Sequence, residues 1–224
     1  MTLANNAAPR LILWDWNGTL LDDVQYAIGV RNRVFPRFGL PLIESLADYH
    51  AQFTFPVKDY YYRAGVTDET FVEVANAWMD EYVRGCEAVP LFADALPALT
   101  AFAAAGCRQA VLSASHVDML QSQLESAGIR DRFDAVLGLT HIYATSKEAV
   151  GLAYMAQSGF AARDALMLGD TLHDAEVARA LGCGCVLVAR GHQSRAVLLA
   201  AGYPVAGSLT EAAALALGRK TTDA

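Results

Sequence analysis

The chain has 224 residues, 54% of them hydrophobic and 18% charged, with a formal net charge of −7. That length buries a full core with room for an insertion, and the composition excludes a disordered chain. The acidic balance excludes a basic face for nucleic acid or anionic lipid, and no apolar run reaches the ~20 residues a membrane helix needs.

The opening stretch "MTLANNAAPR" has no basic start followed by an apolar run. No secretory leader is therefore expected, and the cytoplasm is the expected compartment. Then "RLILWD" (10–15) reads as a strand. Residues 24–91 read as successive helices with no strand of comparable quality, which predicts a small helical domain inserted after the first strand. Pro90 marks its end, so the expected division is a core of 1–23 and 92–224 around an insertion of 24–91. Strand–helix alternation then resumes. "QAVLSAS" (109–115), "ALMLGD" (165–170) and "CGCVLVAR" (183–190) are continuous apolar runs, as expected for parallel strands covered on both faces. Helical patterns at 94–105, 116–127, 146–157 and 174–181 separate them. Gly106, Gly128, Gly159 and Gly182 follow these helices where left-handed caps are wanted. The expected fold is α/β, a doubly wound parallel sheet (Rossmann-like core) with an inserted helical cap. The tail "GRKTTDA" is expected to fray. Cys86, Cys107, Cys183 and Cys185 read as reduced, mostly buried thiols, since "CGC" has no second Cys/His pair at zinc spacing.

In such a sheet ligands bind beyond the carboxyl ends of the strands. Asp15, Ser113 and Asp170 each end a strand there. Two carboxylates meeting at a crevice repel unless a cation lies between them, and few hard oxygen ligands with open positions suit Mg²⁺ and a phosphate. Asp174 is a further acid, four residues after Asp170 at a helix start. Lys147 is one of only three lysines, with Lys58 and Lys220.

Taken together, "DWNGTLL", the strand-terminal Ser113, Lys147 and "GDTLHD" resemble, in order and spacing, the four motifs of the haloacid dehalogenase-like hydrolase superfamily. Within it they look most like the phosphoglycolate phosphatase-like subgroup. The resemblance spans about Leu11 to Arg190, and the helical insertion sits where that superfamily places its cap. It implies a Mg²⁺-dependent hydrolase of a small phosphorylated metabolite. Asp15 would be the nucleophile that forms an aspartyl-phosphate. The metal would be held by Asp15, the main-chain carbonyl of Asn17, Asp170 and Asp174, the last directly or through the outer sphere. Gly18 and Thr19 would present backbone N–H groups to the phosphoryl oxygens, Ser113 would hydrogen-bond them, and Lys147 would offset their charge. Ser115 competes with Ser113 but reads better as a helix cap. His173 reads as a loop histidine between two acids, with a direct role left open. In the cap, Lys58 and Arg63 are candidate anion contacts, and two of Tyr60, Tyr61 and Tyr62 are expected to pack inward.

One residue departs from the pattern. Phosphatases of this superfamily typically carry an acid where this chain has Asn17, and that acid protonates the leaving oxygen and later deprotonates water. A carboxamide does neither, and losing such a group costs ~10²–10⁴ in rate. Three readings stay open. One is a phosphatase whose proton transfer is done elsewhere, or whose substrate has a good leaving group. Another is a hydrolase of C–P or C–X bonds, for which Lys58 is the only cap lysine able to form a Schiff base. The third is a non-catalytic protein that binds Mg²⁺ and phosphate.

Overall fold

A computed structural model describes residues 8–140 and 146–218. Most of "MTLANNAAPR" and all but Gly218 of the tail expected to fray lie outside the described residues. The first strand, β1 (Leu11–Trp14), is fully buried along its length. Four helices follow: α1 (Val24–Val34), α2 (Leu46–Gln52), α3 (Val57–Arg63) and α4 (Asp68–Tyr82). The core then continues as α5 (Ala95–Ala104), β2 (Arg108–His116), α6 (Val117–Ser126), β3 (Ala135–Leu139) and α7 (Lys147–Ser158). It closes with β4 (Ala165–Gly169), α8 (Leu172–Leu181), β5 (Gly184–Val188), α9 (Arg195–Leu199), β6 (Val205–Ala206) and α10 (Leu209–Ala216).

The strands make one six-stranded sheet in the order β3-β2-β1-β4-β5-β6, every pair parallel. The continuous apolar runs serve two faces at once. Ile12 and Trp14 join one core cluster with Leu99, Phe102 and Leu209. Leu11 and Leu13 join the opposite cluster with Val177, Leu181 and Leu198. Strands β3 and β6 were absent from the sequence expectation: β3 is a half-buried edge strand and β6 has two residues, so neither gives a long apolar run. The expected strands and core helices are present within a few residues of their predicted limits.

The inserted helices form a cap with a core of their own, built on Val30, Val34, Phe35, Tyr61 and Val74. The chain enters and leaves it side by side. Asp22 N–H donates to Pro90 O at 2.9 Å and Phe92 N–H to Leu20 O at 3.0 Å. Tyr60 and Tyr61 are the buried pair of the tyrosine run, as helical geometry requires of neighbours that cannot all face inward. The four cysteines are free and buried. Among the described residues no helix is long and apolar enough to cross a membrane.

Strand order fixes the site. The chain winds outward from β1 through β2 to β3, then returns to the other side of β1 with β4. The gap beyond β1 and β4 is thus the switch point of a doubly wound sheet, where the loops diverge and leave a crevice.

Candidate active site

Strand register brings the acids together. Trp14 pairs with Leu168, and the Asp15 N–H donates to Leu168 O at 2.8 Å, so Asp15 and Asp170 leave adjacent strands side by side. On the other flank Trp14 pairs with Val111, which sets Ser113 just beyond Asp15. The β2–β3 register slips between Leu112 and His116, at the stretch that holds Ser113 and Ser115. Asp174 arrives from the first turn of α8. Its Oδ2 accepts from the Thr171 N–H at 3.0 Å and hydroxyl at 2.7 Å, a reciprocal cap that ties the acid to its own helix start. Carboxylate oxygens of Asp15, Asp170 and Asp174 lie within 4.8 Å of one another, and all three residues are buried.

Lys147 neutralises part of that charge. It stands at the first position of α7, a helix started by the Ser146 hydroxyl accepting from Ala149 N–H. Its ammonium donates to Asp15 Oδ1 and Asp174 Oδ1, both at 2.5 Å. At 3% exposure it is buried between them. Burial alone would lower its pKa, but the two carboxylates overcome this and hold it above the ordinary lysine value. The same ion pair lowers Asp174 against its own burial. Asp15 and Asp170 go the other way. Burial pushes both up, only partly relieved by Lys147 for Asp15 and by His192 for Asp170. A divalent cation suits this surplus of buried carboxylate, and the donors are the hard oxygens that Mg²⁺ takes. The residues therefore fit the metal the resemblance implies.

Backbone approaches this cluster without clearance. A Cβ on Gly18 or Gly191 would collide with the Asp170 carboxylate, and Gly18 also has a φ of +70°. A Cβ on Gly169 would strike Asp174. The Thr19 hydroxyl lies 3.0 Å from Asp15 Oδ2 and 3.2 Å from Asp170 Oδ1, fixing one carboxylate against the other.

The remaining expected residues divide. Ser113 is buried beside Asp15; its Oγ accepts from Ser115 N–H at 3.1 Å, and its proton has no acceptor among the described residues. The backbone donors of Gly18 and Thr19 are used within the loop. Gly18 N–H reaches Leu21 O at 3.0 Å and Asp23 Oδ1 at 2.8 Å, and Thr19 N–H reaches Trp16 O at 3.3 Å. Ser115 is not the cap of α6, which is His116; its hydroxyl donates to Asn17 Oδ1 at 2.8 Å. Lys58 and Arg63 lie away from the acids. Exposed Lys58 pairs with Asp68 at 2.8 Å, and Arg63 donates to Gln52 O at 3.3 Å. Their helix α3 turns its Tyr60–Tyr61 face inward, which leaves both cations on the outer side. His173 stacks on Phe55 with centroids 4.8 Å apart.

Asn17 is held on three sides. Its amide donates to Asp23 Oδ2 at 2.8 Å and to Tyr82 Oη at 3.0 Å, while its carbonyl accepts from Ser115. Asp23 is buried and its Oδ1 lies 3.3 Å from His192 Nε2. His192 Nδ1 in turn hydrogen-bonds the Tyr49 hydroxyl of the cap at 2.7 Å. Burial would lower the His192 pKa, yet Asp23 and the nearby acids raise it to about 9. Asp23, Tyr49, Tyr82 and His192 were missed by sequence reasoning. His192 follows β5 at the same sheet edge as Asp15 and Asp170, so the strand-end rule could have found it.

Asp15, Ser113, Lys147 and Asp170 line the floor of a cavity of about 570 Å³ that opens upward between core and cap.

These features can be set beside known proteins. The family model described as haloacid dehalogenase-like hydrolase matches residues 12–188. The phosphoglycolate phosphatase of Synechococcus elongatus is 25% identical over 192 residues, 86% of this chain and 89% of that protein. The tyrosine-protein kinase PtkA of Mycobacterium tuberculosis is 26% identical over 187 residues, 83% of this chain but only 64% of that protein's length. Among solved structures, a haloacid dehalogenase-like family hydrolase from Streptococcus pneumoniae superposes with a TM-score of 0.80 at 20% identity, covering 92% of this chain and 97% of that one. The PtkA structure superposes with a TM-score of 0.76 at 23% identity, covering 95% and 100%. At these identities the structural likeness speaks for the fold.

Proposed function

The chain belongs to the haloacid dehalogenase-like hydrolases, and from that premise we propose that it is a Mg²⁺-dependent phosphohydrolase working through an aspartyl-phosphate on Asp15. One observation carries the reading. Asp15 ends the central strand, held by Lys147 and Thr19 and facing Asp170, at the floor of a cavity large enough for a small substrate. The division into a core of 1–23 and 92–224 and a cap of 24–91 belongs to the same proposal.

In this reading an Asp15 oxygen attacks phosphorus and the ester P–O bond breaks, its electron pair leaving with the alcohol oxygen. Water then attacks the aspartyl-phosphate, releasing phosphate and restoring the carboxylate. Lys147 stabilises the phosphoryl charge from the side of Asp15, and the Ser113 hydroxyl proton, otherwise unused, is available to a phosphoryl oxygen. Asp15, Asp170 and the main-chain carbonyl of Asn17 would hold Mg²⁺. Asp174, with both oxygens occupied by Lys147 and Thr171, acts from the outer sphere. When bound, Mg²⁺ supplies positive charge to phosphoryl oxygens that Lys147 alone cannot neutralise.

The Schiff-base reading loses its residue, because exposed Lys58 is ion-paired to Asp68 and is not among the residues lining the cavity. The test is a panel of acyl, aryl and alkyl phosphates assayed with and without Mg²⁺. Turnover above an Asp15→Asn control, abolished by chelator, is expected. No turnover above that control on any ester would sink the phosphohydrolase and leave a binding protein.

A further inference from the structure

Above the acids the cavity changes character. The cap lines it with rings: Tyr49, Phe53, Phe55, Tyr60, Trp78 and Tyr82. Trp78 and Tyr82 stack at 4.8 Å with an interplanar angle of 20°. Met119 lines it from the core side, and Val57, Met79 and Val83, each more than a third exposed, line it as well. The hydroxyls of Tyr49 and Tyr82 are taken by His192 and Asp23, which line the same cavity.

Lys147 is the only lysine or arginine among the lining residues, and two of its three N–H donors are taken by Asp15 and Asp174. The buried cap cation, Arg31, lies over the rings of Phe35 and Tyr60 at 4.4 and 5.5 Å and is not among the lining residues. Of the three lining histidines, His192 is engaged through both ring nitrogens and the other two through Nδ1 alone. His192 holds Asp23 and Tyr49, His173 lies 3.4 Å from Glu176, and His116 caps α6. A leaving group bearing a carboxylate or a second phosphate would be desolvated there against one partly used cation, with the unpaired Tyr60 hydroxyl as the polar group that the ring wall offers, an unfavourable exchange for a charge. An aromatic ring would instead gain offset-stacked and edge contacts.

The floor of the site gives a second, independent reason. Asn17 has no acidic proton to give, and its amide hydrogens are committed to Asp23 and Tyr82. A leaving oxygen that departs as its anion must then be a weak base. A phenol, with a pKa near ~10, meets that condition; an aliphatic alcohol, close to water at ~16, does not.

We propose that the substrate is an aryl phosphate monoester whose uncharged phenol- or naphthol-type leaving group sits among Phe53, Phe55, Tyr60 and Trp78. The assignment rests on the phosphohydrolase reading. Asp15 forms the bond to phosphorus as the P–O(aryl) bond breaks; the aryloxide carries off the electron pair and takes its proton from water outside the site.

The test uses the full chain with Mg²⁺ and compares kcat/KM for 2-naphthyl phosphate with that for 2-phosphoglycolate and glycerol 1-phosphate, each above the Asp15→Asn background. A preference for the naphthyl ester of about 100-fold or more is expected, the size of an unpaired buried charge. Equal or better use of either aliphatic ester overturns the assignment. Inactivity on all three fails the phosphohydrolase reading instead, and calorimetry then decides the pocket. Phenylphosphonate should bind at least about 10-fold tighter than phosphonoacetate; equal affinities, or the reverse order, refute the aromatic pocket whatever the turnover. Trp78→Ala should raise KM for the naphthyl ester about 10-fold, the effect of losing one ring contact with its buried area. No change in KM counts against this wall as the binding surface.

Discussion

The two ends of one cavity follow opposite physics. At the floor Asp15, Asp170, Asp174 and Lys147 are buried charges, each held by a partner within hydrogen-bond reach. Under the cap the lining is mostly ring and aliphatic carbon, with the hydroxyls of Tyr49 and Tyr82 already hydrogen-bonded to His192 and Asp23. The charged end depends on where each atom sits, since removing one partner strands another ion in low dielectric. The aromatic end depends on area and shape, and tolerates change in smaller steps. Variants at the two ends should therefore differ in kind: collapse of rate or fold at the floor, graded changes of affinity at the wall.

The largest effect belongs to the proposed nucleophile. Asp15→Asn should lower kcat about 10⁴-fold or more while the circular dichroism spectrum stays native, because the carboxamide keeps the shape and loses the attacking oxygen. A surviving rate within about ten-fold would remove Asp15 from the chemistry. Next comes Lys147→Met, which leaves Asp15 and Asp174 buried without their cation. Unfolding in denaturant should show a loss of about 3–5 kcal/mol in the metal-free protein. Mg²⁺ bound at the proposed site would relieve the same repulsion, so added metal should recover part of it. An unchanged denaturation midpoint would mean that the ion pairs are solvated and that the charged end is less tightly built than its distances say.

A third prediction concerns the join between the two ends. Asn17 and Asp23 are a matched pair, an amide donating to a carboxylate at 2.8 Å. Asn17→Asp alone would set two carboxylates against each other there, and the pair would retain a proton or move apart. The single substitution should therefore restore little acid catalysis. The exchange Asn17→Asp with Asp23→Asn keeps one amide and one acid, and should raise alkyl-ester turnover about 10- to 100-fold over the single variant. Equal turnover by single and double variants would show that Asp23 does not set the ionisation at position 17.

The floor was far more legible in the sequence than the wall. Strand-terminal acids announce themselves, because an apolar run stopping at Asp15 or Asp170 has few structural reasons to do so. Parallel strand order then brings these ends together without further information. Lys147 was legible through scarcity and through an unfavourable position at a helix start, which only a strong partner explains. The pairing of Asn17 with Asp23, Tyr82 and Ser115 was not legible. It joins residues up to 98 positions apart through side-chain directions that no local pattern encodes. The backbone donors of Gly18 and Thr19 turned inward for the same reason, since a turn can satisfy its own N–H groups. In the cap, aromatic richness was visible, but whether a ring faces solvent, core or cavity depends on how α2, α3 and α4 rotate against one another.

The smallest predicted effect is at Lys58, and its smallness is informative. Position 58 is the only lysine of the cap, so on sequence grounds it is the natural anion contact or Schiff-base amine. In the fold it is exposed, paired with Asp68 and lying over the rings of Tyr62 and Phe71 at 5.1 and 5.3 Å, on the outer side of α3. An exposed pair of this sort contributes little to stability, and a cation facing solvent contributes nothing to the aryl group proposed to lie among Phe53, Tyr60 and Trp78. Lys58→Ala should accordingly leave kcat/KM for aryl esters within about two-fold of the unsubstituted protein, and borohydride with phosphonoacetaldehyde should label neither protein. If Lys58→Ala instead lowers turnover about ten-fold or more, the cap must close by swinging α3 inward. The aromatic end would then hold a charge after all, and the contrast between the two ends of the cavity would fail at that residue.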